Sequence, residues 1–323
     1  MPHPADPKDE KPNFPMKSEG LTNAPRTQPD APGSAPLAGC LWALLAVAVW
    51  SGWMVVTRVA VTADLAPEDL AALRFSSAGL ILLPVVLRRG LAIDRLGWGG
   101  LALVALTAGV PYVLLASHGL GLARAAEAGV LIPGTIPLFV GILSLLVLRE
   151  RLGAIAGLGL ACILGGVAIL TLPALLAAAG TQLLGYGICL LSALVWAVYT
   201  IAARRAAIDA IHMTAIITVV SALWFLPVYL LLPEQRLWHA GLGGILVQML
   251  YQGPLTGIVA LLAYNRALAI LGAARAAAFT ALLPLTTLVL GIPVLGEWPS
   301  LGDTAGALLA AIGVLLASGV VRR

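Results

Sequence analysis

Ten runs of predominantly apolar residues set the limits on what this chain can fold into. About 20 such residues are what a helix needs to cross the hydrocarbon core of a bilayer. The runs lie at roughly 39–59, 69–88, 98–117, 126–148, 154–174, 183–203, 213–232, 243–264, 274–295 and 302–320, with short connections. Composition agrees: the chain is 60% hydrophobic and only 11% charged, where a soluble domain carries about a quarter charged residues. The expected fold class is an all-α polytopic membrane protein with ten transmembrane helices. A net charge of +4 is too small to suggest nucleic acid. The expected partners are the lipid bilayer and a small-molecule substrate. Neither the oligomeric state nor the substrate's identity can be read from the residues, and a monomer is compatible with them.

The ten runs divide into two similar sets of five. An offset of 147 places Pro137 on Pro284, Glu150 on Glu297, Gly159 on Gly306 and Gly166 on Gly313. An offset of 146 places Trp50 on Trp196 and Arg58 on Arg204. Glu and Trp are rare in this composition, so their agreement in nearly one register marks a repeat: 39–175 and 183–320. Five is an odd number, so two such halves in one chain must enter the membrane in opposite directions. An inverted repeat of this kind is typical of secondary transporters.

Charge sets the expected orientation, since cytoplasmic loops collect Lys and Arg. With the N-terminus inside, the inner face receives Lys8, Lys11, Lys17, Arg26, Arg88, Arg89, Arg95, Arg149, Arg151, Arg204, Arg205, Arg266, Arg275, Arg322 and Arg323, which is 15 of the 19 basic residues. Arg124 and Arg236 fall outside, with Arg58 and Arg74 near outer helix ends. Both termini are therefore expected in the cytoplasm. Residues 1–38 are rich in Pro, Asp, Lys and Ser, and such a segment buries too little surface to order itself. It lacks the pattern of a cleaved signal peptide, which leaves the first apolar run as the expected targeting element. Cys40, Cys162 and Cys189 sit in or beside apolar runs and read as small core residues; no metal site and no cofactor are expected.

The fourth run, "IPGTIPLFVGILSLLVLRE", keeps Pro133 and Pro137 and closes on Glu150. The ninth, "FTALLPLTTLVLGIPVLGE", repeats the thirteen-residue spacing with Pro284 and Glu297. Proline in a membrane helix is tolerated where freed carbonyls find partners or line a cavity. Equivalent prolines in both halves point to hinges at Pro137 and Pro284, with a static kink as the alternative. Glu150 and Glu297 fall at span ends, where each suits a structural role bonding amides at the start of the next helix; substrate contact is the alternative.

Polar stripes mark the candidate substrate cavity. In the eighth span Gln248, Gln252 and Thr256 share a face, with Tyr251 beside them. The sixth carries Ser192, Trp196, Tyr199 and Thr200; the first, Trp50, Met54 and Thr57; the ninth, Thr280, Pro284 and Thr287. Such stripes either hydrogen-bond helix to helix or converge on a shared interior. Trp50 and Trp196 lie mid-span, away from the interfacial belt that Trp usually occupies, and fit a cavity wall or close packing. Arg74, near the start of the second span, either snorkels outward or presents a fixed cation to a pathway. No acidic residue lies mid-span, and His118 at an outer helix end is the nearest titratable alternative, so transport without proton coupling is expected. There is no phosphate-binding GxxxxGK[ST] loop.

"AVWSGWMVVTRVA", "ALVWAVYTIAARR", "PEDLAALRF" and "AYNRALAILGAARAAAFTALLPL", with the paired Pro–Glu spacings, resemble the drug/metabolite transporter superfamily. The match is to its ten-helix, EamA-like branch of bacterial metabolite exporters, over about 39–320. The resemblance implies a bacterial inner-membrane exporter or facilitator of small polar metabolites, such as amino acids, and no enzyme. The alternatives are an integral membrane enzyme, or a drug or nucleotide-sugar transporter of the same superfamily. An enzyme would need a cluster of catalytic side chains at one membrane face, and the four His residues are scattered.

Overall fold

The computed structural model describes residues 34–63, 65–122, 125–149, 153–177, 180–233, 235–237, 240–295 and 300–318. Glu150 and Glu297 lie outside these residues, as do Arg124, Trp238, Trp298 and the basic C-terminal pair. Every described element is helical. The chain runs through α1 (Ser34–Ala63), α2 (Pro67–Arg89), α3 (Ile93–Ala108), α4 (Val110–Leu122), α5 (Ala125–Leu143), α6 (Ala154–Ala177), α7 (Thr181–Ala206), α8 (Ala210–Leu230), α9 (Leu242–Leu250), α10 (Leu261–Leu271), α11 (Ala273–Ala278), α12 (Leu283–Leu295) and α13 (Leu301–Ser318). A π-helical turn, Ser144–Leu148, ends α5; a π-helix, Tyr251–Ala260, joins α9 to α10; a 3-10 turn, Phe279–Leu282, joins α11 to α12.

Among the described residues, eight helical stretches are long and apolar enough to cross a membrane. They correspond to the first eight runs of the sequence. The ninth run is helical but divided into α11, the 3-10 turn and α12, and the tenth contains a shorter apolar helix, Thr304–Ala317. Two other details depart from the sequence reading. Helix α1 begins at Ser34, ahead of the first apolar run. The third span is two helices, because Gly109 leaves helical geometry (φ −92°, ψ −145°) just before Pro111.

The breaks have local causes. Pro67 sits in the first turn of α2, where its missing N–H is harmless, and Asp69 of that turn accepts a 2.8 Å bond from the Ala66 amide. Pro254 lies inside the π-helix, since a proline removes one rung of the ladder and a π-turn absorbs the fault. At the other breaking point, Pro284 removes the N–H that would bond the Thr280 carbonyl. That carbonyl accepts from the Leu283 amide instead, which makes the 3-10 turn.

The helices pair in an exchanged pattern. Helix α1 packs on α10 and α12, while α7, its counterpart in the second half, packs on α4 and α5. Helices α2 and α8 pack on each other, as do α6 and α13. The α6–α13 contact is antiparallel and reciprocal. Gly159 meets the Gly313 carbonyl, and Gly166 meets the Gly306 carbonyl. Since Gly159 corresponds to Gly306 and Gly166 to Gly313, each contact is the repeat image of the other. Small residues let helix backbones approach this closely where lipid supplies no hydrophobic drive between helices. Outward-facing Leu80, Leu87, Leu146, Leu176 and Leu301 leave an apolar rim that only a bilayer would cover.

The two ends of the bundle differ in charge. At one end Arg89 and Arg266 meet Asp209 at 3.0 and 3.9 Å, and His212 Nε2 bonds the Gly90 carbonyl at 2.8 Å. At the opposite end of α2, His118 meets Glu68 at 3.4 Å, and Asp69 accepts bonds from Tyr229 Oη and the Arg236 amide.

Candidate functional site

The two halves meet at a small central cavity. It is lined by Trp50, Trp53 and Met54 of α1, Arg74 of α2, Tyr112 of α4, Ile132, Pro133 and Ile136 of α5, Trp196 of α7, Thr280 of the 3-10 turn and Leu283 of α12. The space open to water centres is about 30 Å³, room for roughly two waters on a threshold of ~10–15 Å³ each. The cavity is thus narrow in this structure.

Repeat-equivalent residues touch here. The Trp50 and Trp196 rings stand edge to face, 5.4 Å apart at 87°. Tyr112 packs on Trp196 at 4.6 Å, and Tyr264 lies 5.4 Å from Trp50 and 5.5 Å from Trp196. Thr280 is the repeat counterpart of Pro133, and its Oγ1 lies 3.0 Å from the Pro133 carbonyl and 2.7 Å from the Ala277 carbonyl. The Pro133 carbonyl is the one that Pro137, four residues on, deprives of its helical donor. A hydroxyl from one half therefore partners the carbonyl freed by a proline in the other. Pro137 and Pro284 are both buried.

Arg74 is 3% exposed and turned into the cavity rather than out to the membrane surface. Its guanidinium carbon lies 5.8 Å from the Trp53 ring and 5.9 Å from the Phe75 ring, within range of a cation–π attraction.

Of the residues expected at a cavity, Trp50, Arg74, Trp196 and Thr280 line it. Tyr199, Gln248, Tyr251 and Gln252 are not among its lining residues; they are engaged in bonds between helices. Gln252 accepts from Trp53 Nε1 at 2.8 Å and donates to Thr57 Oγ1 at 3.0 Å and Gln248 Oε1 at 3.2 Å. Gln248 Nε2 donates to the Val56 carbonyl at 3.0 Å, and Tyr251 Oη to the Val49 carbonyl at 3.2 Å. Tyr199 Oη donates to Asn265 Oδ1, whose amide donates to Thr214 Oγ1 at 3.2 Å. The reason is general: in an apolar medium, amides and hydroxyls on neighbouring helices satisfy one another. Trp53 and Tyr199 are themselves repeat equivalents at the offset of 146, and each donates to a side-chain amide of the eighth span, Gln252 within the π-helix and Asn265 in α10.

Trp53, Tyr112, Tyr264 and Asn265 escaped the sequence reading. The repeat offset that pairs Trp53 with Tyr199 would have exposed the first. The others carry no periodic signal. Cys40 and Cys189 are buried and Cys162 half-buried, all as free thiols. A second recess of about 300 Å³ opens at the arginine-rich end, among Arg204, Asp209, Asn265 and Arg266.

Replacing Gln252 with leucine tests the first network. The leucine fills similar volume but leaves Trp53 Nε1 without its acceptor and Thr57 without its donor. At about 0.6–1.7 kcal/mol per lost interhelical bond, a loss of about 2 kcal/mol is expected. The measurement is thermal unfolding in lipid nanodiscs; an unchanged midpoint would show that these bonds contribute nothing.

Fold and site together define a polytopic membrane protein in which two similar helical halves close around a central cavity. The EamA-like transporter family model matches residues 37–172 and 183–319, one repeat each. The chain therefore belongs to the EamA-like transporter family, within the drug/metabolite transporter superfamily. A solved crystal structure, described only as that of a protein, is similar to it with a TM-score of 0.69 and 24% identity, over 90% of this chain and 99% of that one. At that identity the likeness speaks for the fold alone. Among curated proteins none is significantly similar in sequence.

Proposed function

We propose that this protein is a secondary transporter that exports, or facilitates the passage of, small polar metabolites such as amino acids. It works by alternating access around the central cavity. The observation that carries the reading is the meeting of repeat equivalents at that cavity: Trp50 with Trp196, and Pro133 with Thr280. A site on the axis between two similar halves is equally available to both, so rocking one half against the other opens it to either side in turn.

The finer architecture follows the same reading. Ten crossings form two inverted five-helix halves, and the antiparallel, reciprocal glycine contact of α6 with α13 supports the inversion. The arginine-rich end that holds Arg89 and Arg266 is the cytoplasmic one. Both termini then lie on the cytoplasmic side of a bacterial inner membrane. Pro137 and Pro284 serve as the hinges.

Among the described residues, the cavity lining carries no carboxylate and no histidine, which supports flux down the substrate's own gradient.

The test is flux in proteoliposomes, with a panel of amino acids and related metabolites beside a lipophilic drug and a nucleotide sugar. Saturable flux of the metabolites is expected, and uptake of the other two in their place would replace the substrate class. An imposed pH gradient alone is expected to drive no accumulation. If it does, the outer ion pair of His118 with Glu68 is the group to neutralise first.

A further inference from the structure

Among the described residues, Arg74 is a buried cation without an anion. The residue is 3% exposed, it makes no ion pair among the described residues, and its buried Nε has no hydrogen-bond partner there. An unpaired charge in a low-dielectric interior is costly, and inward-facing charges in membrane proteins either pair with one another or mark a substrate path.

The carboxylates nearest in the chain are committed elsewhere. Glu68 faces His118 at 3.4 Å. Asp69 accepts from the Ala66 amide, Tyr229 Oη and the Arg236 amide. Both belong to the first turn of α2, more than a turn away from Arg74 along the helix. The rings of Trp53 and Phe75 hold the guanidinium in place but do not neutralise it. Apart from Thr280, the remaining described wall of the cavity is largely aromatic and aliphatic, with Trp50, Trp196, Tyr112, Ile132 and Leu283.

We propose that, among small metabolites, the preferred cargo is an organic monoanion, taken ahead of zwitterionic amino acids, whose carboxylate pairs with Arg74 while its planar body lies against the Trp50 and Trp196 rings. This rests on the reading of the central cavity as the transport site. Arginine's planar fork matches a carboxylate with two parallel hydrogen bonds, and the aromatic walls favour a flat body. A zwitterion is disfavoured relative to the matching carboxylate, because no lining carboxylate receives its ammonium group. The narrow cavity widens to admit the ligand, as alternating access requires.

The test uses full-length protein in nanodiscs with three probes of similar size: phenylacetate, its neutral amide phenylacetamide, and the zwitterion phenylalanine. Binding is read by titration calorimetry and by the shift of the thermal midpoint. A charge-assisted pair makes phenylacetate bind about 10- to 100-fold tighter than phenylacetamide, and tighter than phenylalanine. In Arg74→Gln the ratio falls to about 1; Arg74→Lys keeps a preference for the anion. The wild-type ratio needs no variant and stands even if Arg74→Gln fails to fold. Binding of the amide or the amino acid as tightly as the carboxylate, or an anion preference that survives in Arg74→Gln, overturns the proposal and leaves the cavity standing. Failure of all three probes to bind at millimolar concentration overturns the cavity reading along with it.

Discussion

Valine at Gly166 is expected to push α6 and α13 apart and destabilise the protein by about 3 kcal/mol, the upper part of the range for overpacking. A side chain there has nowhere to go. Its Cβ would press on the Gly306 carbonyl, with the Ala310 amide nitrogen 2.7 Å away and the Ala310 Cβ 3.0 Å away. Two of those three contacts are backbone, so no rotamer relieves them. Gly313→Val should behave alike, because its Cβ would stand 2.7 Å from the Ile163 amide nitrogen. Gly157, on the same helix, has nothing within 4 Å of its Cβ position, and Gly157→Val serves as the neutral control. Thermal unfolding in nanodiscs reads the difference. If Gly166→Val unfolds with the wild type, the close approach of the two helices is not what stabilises their pairing.

Alanine at Pro137 should slow flux about tenfold without loss of stability. The substitution supplies an N–H four residues beyond the Pro133 carbonyl, so that carbonyl regains its helical partner and α5 closes its ladder. Proline inside a helix costs about 3 kcal/mol, and removing it favours the straight helix. Thr280 keeps the Ala277 carbonyl at 2.7 Å when it loses Pro133, so the cavity wall is not left with an unbonded hydroxyl. In a cycle that needs α5 to bend, stabilising the straight form by about 1.4 kcal/mol slows bending tenfold. Pro284→Ala tests the matching position in α12. Wild-type flux from a stably folded Pro137→Ala would make the proline a packing feature and remove the hinge.

Asn265 shows why part of the site was hidden in the sequence. It stands in an apolar run beside Arg266, at a spacing that gives no stripe, and it gains its meaning only from Tyr199 and Thr214 on two other helices. Tyr112 is a similar case: it follows a Gly–Pro break, and its place beside Trp196 depends on how α4 tilts against α7. Gln248 and Gln252 illustrate the converse. Their stripe was plain, and their burial away from lipid followed from it, yet whether they met substrate or helix turned on where Trp53 and Thr57 of α1 came to lie.

The sequence by itself determined that the chain is a multi-helix membrane protein built from two copies of one unit. Crossing a bilayer requires apolar runs of a set length, and a repeated unit leaves its rare Pro, Gly, Glu and Trp at a constant offset, both readable along one dimension. Only the tertiary structure decided which faces meet. The cation of Arg74 could have snorkelled or turned inward, and both are compatible with its place in α2. Its direction is settled by packing against Trp53 and Phe75. Likewise the sequence placed prolines at Pro137 and Pro284. That the carbonyl one of them frees is met by a hydroxyl from the opposite half is a contact across 147 residues, which no local pattern specifies.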